Sequence, residues 1–534
     1  MFLQRESVGN TSPAFPFPET VDQPQSAPGV SGPWFAVIVQ RIGNVFALDV
    51  RSLALFRVCL SLILLTDLCW RAFNLRAHYT DVGVFPRGVA LSQFLDEWYF
   101  SIHLMTGTLL GQSLLFSLNA ACAVSLLVGY RTTLATCLSW FFMISLHNRN
   151  LMILDSGDVV LQMLLFWSMF LPLGAAYSVD AARKPTPQRR EVSVRSIGSV
   201  ALLLQICFIY WFTAALKTDP IWRQEGSGVY YALNLDVFAT HVGVWLRQFP
   251  QAMTAISFST LKLETFGPWL LFLPIAQGQV RCLAIALFVG FHIGIGLCLD
   301  LGIFPFIMLT TWLILVPTWL WEKFAVPCEF SAQRTQQIRR WLKHVGLCAR
   351  FRVAQTGRWQ WWWSVMSASF CTACLLYVFL WNLRTTDFAK YSQYLPQKYN
   401  WIGNALRIDQ MWNMFAPKPL QDDGWYVIPA HLHGGKEVDL MTEQASVTWE
   451  KPAFVLPLYR DQRWRKYLLN LWEREHAAHR LYFGRYLCRN WNATHQGDET
   501  LETFEIYFMK ETTLPNGKVA PIEKVNLWNH NCFG

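Results

Sequence analysis

Long apolar runs separated by short polar segments fill the first 385 residues of the chain. An apolar run of about 17–25 residues is long enough to cross the hydrocarbon core of a bilayer as a helix. Nine stretches reach this length: 53–72, 108–128, 132–148, 158–174, 198–217, 260–276, 280–300, 302–321 and 361–382. The pattern therefore predicts an all-α polytopic membrane bundle of about nine transmembrane helices.

Positive charges are concentrated in two of the connections between these runs. Basic residues crowd the connection after the fourth run (Arg183, Lys184, Arg189, Arg190, Arg195) and the connection after the eighth (Lys323, Arg334, Arg339, Arg340, Lys343, Arg350, Arg352, Arg358). Short loops rich in lysine and arginine stay in the cytoplasm. With nine spans, both loops agree with a cytoplasmic N-terminus and an exoplasmic C-terminus.

Residues 386–534 have a different pattern, typical of a small α/β domain. Gly434-Gly435 separates two strand-like runs, and Pro515-Asn516-Gly517 separates two more, so two hairpins are predicted. Residues 463–482 have helical spacing. We expect this domain to be exoplasmic, where its two cysteines, Cys488 and Cys532, could pair in an oxidising compartment.

The N-terminal 44 residues contain a segment rich in Pro, Ser, Gln and Gly without an apolar core, which predicts a disordered tail rather than a signal peptide. Three regions follow: the tail (1–44), a transmembrane domain (45–385) and the exoplasmic domain (386–534).

Composition agrees with a membrane protein and argues against a soluble protein and a nucleic-acid-binding protein. The chain is 53% hydrophobic and only 15% charged, whereas soluble proteins carry about 25% charged residues. Its net charge of +9 is spread over loops rather than collected into one patch, so we expect no nucleic-acid partner. The 13 cysteines show no zinc-binding spacing, and no metal is expected.

The fifth apolar run ends at Lys217, and Asp219-Pro220 follows at once. The residue before a proline is disfavoured in a helix and aspartate is a good N-cap, so one helix is predicted to end here and another to begin. Two roles remain open for Lys217. It could be an anchor that reaches the membrane surface, or a functional group facing a polar site.

Further polar residues are predicted near the same membrane leaflet: Glu264, His292, His147, Asn148, Asp158 and Asp67. A substrate pocket is predicted from Glu264, Asp158, His147, Asn148, Asp67 and Trp222. Ionisable groups within spans usually face the bundle interior or a wet cavity. Simpler roles stay open: Glu264 could pair with Lys262, Asp67 with Arg71, and His292 could be a core histidine. Asp158 could serve only at a helix N-terminus.

Five segments of the chain resemble the vitamin K-dependent γ-carboxylase superfamily, and most closely its bacterial "horizontally transferred transmembrane" (HTTM) branch. They are LALFR at 53–57, the segment 156–180, KTDPIW at 217–222, GFHIGIGLCLDLGIFP at 290–305 and DQMWNMFAPKPLQDDGWY at 409–426. The resemblance covers roughly residues 45–435.

The resemblance implies a chemistry and a cofactor. In the animal carboxylases, a membrane-embedded lysine deprotonates vitamin K hydroquinone, and oxygenation then yields the strong base that permits carboxylation of glutamate. Lys217 matches that lysine and His292 a histidine-containing stretch, so both are catalytic candidates, with a vitamin K-type (menaquinone) hydroquinone as cofactor. Loss of solvent favours the neutral amine, which lets a buried lysine act as a base.

The chain also departs from the family at two places. Ser156-Gly157-Asp158 stands where the family's Asn-His stretch would align, and the outer domain is much shorter than that of the animal enzyme. A polypeptide substrate is therefore left open.

Two functions from different classes follow from the sequence. The first is a carboxylase-like enzyme (a carbon–carbon lyase with quinol oxygenation) in the plasma or inner membrane, using a lipid-soluble substrate. The second is a non-catalytic membrane scaffold or binding protein of the same fold. A transporter is less favoured because no inverted repeat is visible.

Overall fold

The computed structural model describes residues 43–94, 98–183, 192–327, 330–344 and 357–533. The predicted N-terminal tail falls outside these residues except for its last two positions, and the two basic connections fall partly outside them. The described chain is mostly helical, with a small sheet near the C-terminus.

Eleven helices form the framework. They are α1 (Val50–Phe73), α2 (Leu109–Val128), α3 (Thr132–Arg149), α4 (Ser156–Ser168), α5 (Ile197–Leu216), α6 (Pro250–Phe266), α7 (Gln277–Cys298), α8 (Phe304–Leu313), α9 (Gly357–Thr386), α10 (Gln462–Trp472) and α11 (Arg480–Asn492). Further helices lie between them at Leu75–Tyr79, Arg87–Phe94, Val179–Arg183, Gly228–Leu233, His241–Leu246, Thr318–Lys323, Ala332–His344, Phe388–Tyr391 and Asn400–Leu406.

Five helices of the described chain are long and apolar enough to cross a membrane: α1, α2, α5, α7 and α9. The other four predicted spans overlap helices that are shorter, less apolar or interrupted. The eighth stretch, for example, breaks before Pro317, because proline disfavours a helical conformation in the residue before it. The protein is thus a membrane protein by its apolar helices, and the count of nine stays a prediction.

Local sequence explains where several helices begin. At α4, the Asp155 side chain accepts hydrogen bonds from the first turn while Asp158 accepts one from the backbone of Asp155, a reciprocal capping arrangement. At α5, Ser196 and Ser199 bond reciprocally in the same way. Helix α5 is the most buried of the five long apolar helices and forms the centre of the bundle.

The C-terminal sheet is antiparallel. It contains β3 (Asp422–Val427), β4 (Pro429–Leu432), β5 (Glu437–Asp439), β6 (Leu501–Thr512) and β7 (Glu523–Asn531), after a short pair of strands, β1 (Leu48–Asp49) and β2 (Ser193–Val194). The order is β3-β6-β4-β5, and β7 pairs with the other edge of β6. Both predicted hairpins are confirmed, as β4–β5 and β6–β7.

The C-terminal domain is joined to the bundle by a shared core. Tyr79 and Phe116 of the bundle pack in one apolar cluster with Tyr426 and Tyr467 of the C-terminal domain. Within that domain, Cys488 and Cys532 form a disulfide, a pairing that the sequence left open. The two predicted domains therefore pack as one body around α10, which lies against the bundle.

Candidate functional site

Lys217 lies at the point where the sequence predicted a helix to end. It is the first residue after α5, and the Asp219 carboxylate accepts a hydrogen bond of 3.0 Å from the Ile221 amide to begin a single π-helical turn, Ile221–Glu225. The lysine side chain remains inside the protein, with a relative exposure of 2%. A snorkelling anchor would instead present its ammonium to water.

The partner of Lys217 is Glu264 on α6. The lysine Nζ lies 2.6 Å from both carboxylate oxygens, and both side chains are buried. The alternative of a Glu264–Lys262 pair is therefore wrong: Lys262 is exposed, because residues two apart on a helix project in nearly opposite directions. The Lys217 Nζ also lies 4.6 Å from the ring centroid of Trp222, a cation–π distance.

This ion pair forms part of the wall of a cavity of about 760 Å³. Most of the lining is apolar and comes from α5, α7, α8 and the segment 229–246, as is usual for sites that bind small molecules. One side of the cavity is formed by the C-terminal domain, chiefly by α10. Polar lining groups from that side are Asn413, Lys418, Asp422, Asp423, Gln462, Arg465, Lys466, Asn470 and Glu473.

His292 also lines the cavity and ends a chain of hydrogen bonds. The Trp312 indole can only donate, and it donates to the Tyr210 oxygen at 2.7 Å. The Tyr210 oxygen also lies 2.8 Å from Nε2 of His292, a hydrogen bond in which either group can donate. Nδ1 of His292 is buried and has no hydrogen-bond partner among the described residues.

A second group of buried charges lies beside the cavity; we refer to it as the charge cluster. It consists of Asp67, Arg71, His147, Asp158 and Arg463. Arg71 bonds to Asp67 at 2.7 Å and to Asp158 at 2.5 Å, while Arg463 bonds to the same two carboxylates at 2.8 and 2.6 Å. Two guanidinium groups thus neutralise two carboxylates, with His147 3.4 Å from Asp158.

The structure separates the candidates that the sequence placed near one leaflet. Lys217, Glu264, Trp222 and His292 meet in the cavity wall. The charge cluster instead contains Asp67, His147 and Asp158, and these three are not part of the cavity wall that the described residues form. Asn148 belongs to neither group, because its amide donates to the Phe100 carbonyl at 2.8 Å. The functional roles of all eight remain predictions.

Three donors of the charge cluster are close enough together to hold a metal ion: Asp67, His147 and Asp158. Their negative charge is already matched by Arg71 and Arg463, whose nitrogens contact both carboxylates. Binding a divalent cation here would require displacement of at least one guanidinium. The donor set therefore fits an ion-pair network better than a metal centre.

Sequence reasoning missed the contribution of α10. Arg463 contacts Asp67 across 396 residues of sequence, and the hydrophobic spacing of 463–482 gave no sign of that partner. The capping residue Asp461, which accepts from the amides of Arg463 and Trp464, predicts a helix start but not its target. A basic residue among buried aromatic positions at a helix start was the only available signal.

The family assignment agrees with this geometry. The model of the HTTM domain family matches residues 45–319, more than half of the chain, and includes Lys217, Glu264 and His292. The chain belongs to the HTTM domain family and is a carboxylase-related membrane protein. No curated protein and no solved structure matches the chain. The helix α10 and the remaining C-terminal wall of the cavity lie beyond the matched residues.

Proposed function

We propose that this protein is a membrane enzyme that acts on a lipid-soluble quinol-type substrate, with Lys217 as the general base. The observation that carries the proposal is the buried Lys217–Glu264 pair in the wall of a large, mainly apolar cavity. An apolar cavity suits a hydrophobic ring and tail, and His292 adds a polar side chain to its wall.

The chemistry assigned to Lys217 is the movement of one proton. An ammonium–carboxylate pair and an amine–carboxylic acid pair differ only in the position of a proton, and exclusion of water reduces the advantage of the charged form. When Glu264 holds that proton, the Lys217 amine is free to take up a proton from a bound hydroxyl. A quinol, when bound, supplies an acidic hydroxyl and the reducing power for reaction with oxygen. Trp222 then faces the resulting ammonium.

Direct assay of purified protein in lipid nanodiscs tests this function. We expect oxidation of a menaquinol-type substrate that depends on oxygen, and incorporation of labelled CO₂ if the carboxylase chemistry is retained. Glutamate-containing peptides and lipid extracts should both be offered as acceptors. Absence of quinol oxidation by a folded protein, under conditions that support a related carboxylase, would reject the enzymatic proposal.

The alternative is a non-catalytic binding protein or scaffold. The observation that favours it is the symmetry of the ion pair, since both oxygens of Glu264 contact Lys217 at 2.6 Å, as in a structural salt bridge. Such a protein would bind a quinol without turning it over. Stoichiometric quinol binding with no oxidation would therefore support the alternative.

We further propose that the C-terminal domain is exoplasmic and the N-terminus cytoplasmic in a multi-pass protein of the plasma or inner membrane. The Cys488–Cys532 disulfide supports this, because such bonds persist in oxidising compartments. The two basic connections support it independently. An odd number of spans, five or nine, gives the same orientation.

Cysteine labelling in intact cells measures that orientation. Single reporter cysteines in the 434–435 turn should react with a membrane-impermeant maleimide, and cysteines in 330–340 should react only after permeabilisation. Labelling of both regions from the same side would contradict the proposed topology.

A further inference from the structure

Helix α10 divides its residues between two faces. Arg463, Trp464, Tyr467, Leu468 and Leu471 are buried in the contact with the bundle and the C-terminal core. The opposite set lines the cavity at helical spacing: Gln462, Arg465, Lys466, Leu469, Asn470 and Glu473. One face of α10 is thus packed in the core, and the other lines the space where a ligand would lie. Three residues of the cavity face, Gln462, Arg465 and Asn470, also bond to the bundle.

The cations in the cavity wall differ in their partners. Lys217 is paired with Glu264, and Arg465 donates to the carbonyl and carboxylate of Asp300 at 2.6 and 3.2 Å. Lys418 is on the exposed surface of its loop. Lys466 is half-buried and has no carboxylate within ion-pair distance in the part of the chain that the structure describes. Among the cations of the wall that are not fully exposed, it is therefore the one without an ion-pair partner in the described part of the chain.

Lys466 is nevertheless held in place. Its Nζ donates to Oδ1 of Asn470 at 3.0 Å, and Nδ2 of Asn470 donates to the Met152 carbonyl at 2.9 Å. The second bond fixes the orientation of the Asn470 amide and so directs its oxygen toward Lys466. An ammonium has three donors, and the described residues accept from one of them. Two donors remain for another acceptor.

The surroundings of Lys466 favour an anion at this position. Burial lowers the pKa of Lys466, and the carboxylates of Asp155 and Glu473 only partly oppose this. Asp155 already accepts from the amides at the start of α4, and Glu473 is exposed. Partial burial of a cation without a counter-ion is costly, and a negatively charged ligand in the cavity would remove that cost.

The cavity also has an opening lined by glycines. Gly290 and Gly294 on α7 both line it and are exposed, and a Cβ atom added at either would have no neighbour within 4 Å. The same helix exposes Leu287, Ile293 and Leu297, so this side of α7 is suited to contact lipid. A hydrocarbon chain could pass between the cavity and the bilayer at these glycines.

We propose that the cavity binds, as its second substrate, an anionic amphiphile whose carboxylate or phosphate is held by Lys466 and Asn470 and whose hydrocarbon chain extends past Gly290 and Gly294. This rests on the proposed function in that the same cavity is taken as the substrate site. Lys466 is a specificity-determining residue for the head group, and the two glycines admit the chain.

Binding to the full-length protein in detergent tests the head-group assignment. The probes are oleate, oleoyl lysophosphatidic acid and the uncharged monoolein, measured by displacement of a fluorescent fatty acid. Lys466→Gln should weaken binding of the charged probes by about tenfold or more, the usual scale for a hydrogen bond to a charged group. Monoolein should be unaffected, and Lys466→Arg should retain most of the affinity for the charged probes.

Two further variants control the interpretation. Lys436→Gln removes the same charge from an exposed turn in the same domain and should change none of the affinities. Gly290→Leu fills open space rather than a packed core and should weaken the binding of all three probes to the same extent. A larger loss with oleate identifies a carboxylate ligand, and a larger loss with the lysophosphatidic acid identifies a phosphate.

The proposal is overturned if wild-type protein binds monoolein as tightly as the charged probes, or if Lys466→Gln affects all three equally. Lys466-dependent binding of an acidic peptide, without binding of any amphiphile, would also overturn it. Its failure is separable from failure of the proposed function. If the protein oxidises menaquinol in a reaction that requires Lys217 but does not bind the charged probes, the enzyme proposal is still supported.

Discussion

The Lys217–Glu264 pair and the charge cluster are both buried groups of opposite charge, yet they lie in different surroundings. The pair borders a cavity of about 760 Å³, so a ligand can reach it. The cluster is enclosed, and each carboxylate of Asp67 and Asp158 is contacted by both Arg71 and Arg463. Burial and opposite charge are common to both groups, so the proposed role of the pair rests on its access to open space.

The second difference concerns which elements meet. Lys217 and Glu264 come from neighbouring parts of the matched HTTM region, at the end of α5 and on α6. The charge cluster instead joins α1, α3 and α4 to α10 of the C-terminal domain. We interpret the cluster as the connection that fixes α10 over the cavity, so that its other face can complete the wall.

The largest effect is expected from substitutions that break the Lys217–Glu264 pair. Lys217→Ala should reduce kcat/KM for quinol oxidation by about 10²–10⁴-fold, the usual contribution of a general base. Lys217→Arg should fail as well, because a guanidinium does not give up its proton. Thermal unfolding scans of the detergent-solubilised variants should give melting temperatures close to that of the wild-type protein, which would show that the fold survives.

Retention of full activity by Lys217→Arg would identify Lys217 as an anchor or a structural cation and contradict the catalytic assignment. Glu264→Gln provides the matched variant on the other side of the pair. If Glu264 exchanges a proton with Lys217, this variant should also lose turnover while keeping a hydrogen-bond acceptor.

The next largest effect is expected from a substitution that breaks the charge cluster. Arg463→Ala leaves two buried carboxylates with only Arg71 as a partner, and removal of one member of a buried ion pair costs about 3–5 kcal/mol. We expect a corresponding fall in the free energy of unfolding and faster proteolysis around α10. Activity of the fraction that remains folded should fall less than in Lys217→Ala.

Arg460→Ala is the control for that experiment. Arg460 lies three residues earlier and pairs with Glu443 at 3.0 Å, but both side chains are more than half exposed. Exposed pairs contribute at most about 1 kcal/mol. Equal stability losses in the two variants would show that the charge cluster does not hold the domains together.

The sequence predicted those parts of the molecule that depend on neighbouring residues. Asp219-Pro220 fixed the end of a helix at Lys217, and Gly434-Gly435 marked a hairpin, because both effects act within a few residues. The HTTM assignment was likewise predicted from short motifs and is confirmed.

Pairing across long separations was harder to predict. Lys217 and Glu264 were both recognised as candidates, yet the sequence offered only the nearby Lys262 as a partner for Glu264. The true contact spans 47 residues and requires the packing of α5 against α6. Arg463 was missed altogether because its partners lie about 300–400 residues away. Such contacts depend on the crossing of helices, which hydrophobic spacing does not specify.

The smallest expected effect concerns a second polar contact between the domains, at Asp423 on β3. Its carboxylate accepts from the backbone amides of Asp236 and Val237 in the bundle. Burial, with a smaller contribution from the nearby Asp236 carboxylate, raises the pKa of Asp423 to about 7 despite the lowering effect of the backbone hydrogen bonds. The folded protein therefore holds this proton more tightly than the unfolded chain does.

The sign of the pH dependence follows from that difference. The stabilising contribution is complete below the unfolded pKa of about 3.9 and is lost as pH rises through about 7. The loss amounts to about 2 kcal/mol between pH 5 and pH 7.

In Asp423→Asn the side-chain oxygen still accepts from the amides but no longer titrates. Thermal scans at several pH values should show that wild-type protein loses more stability than this variant between pH 5 and 7. Asp422→Asn, at an exposed neighbour, should keep the wild-type slope. Identical slopes for Asp423→Asn and wild type would show that this contact is insensitive to pH, and that α10 and the charge cluster hold the domains together without it.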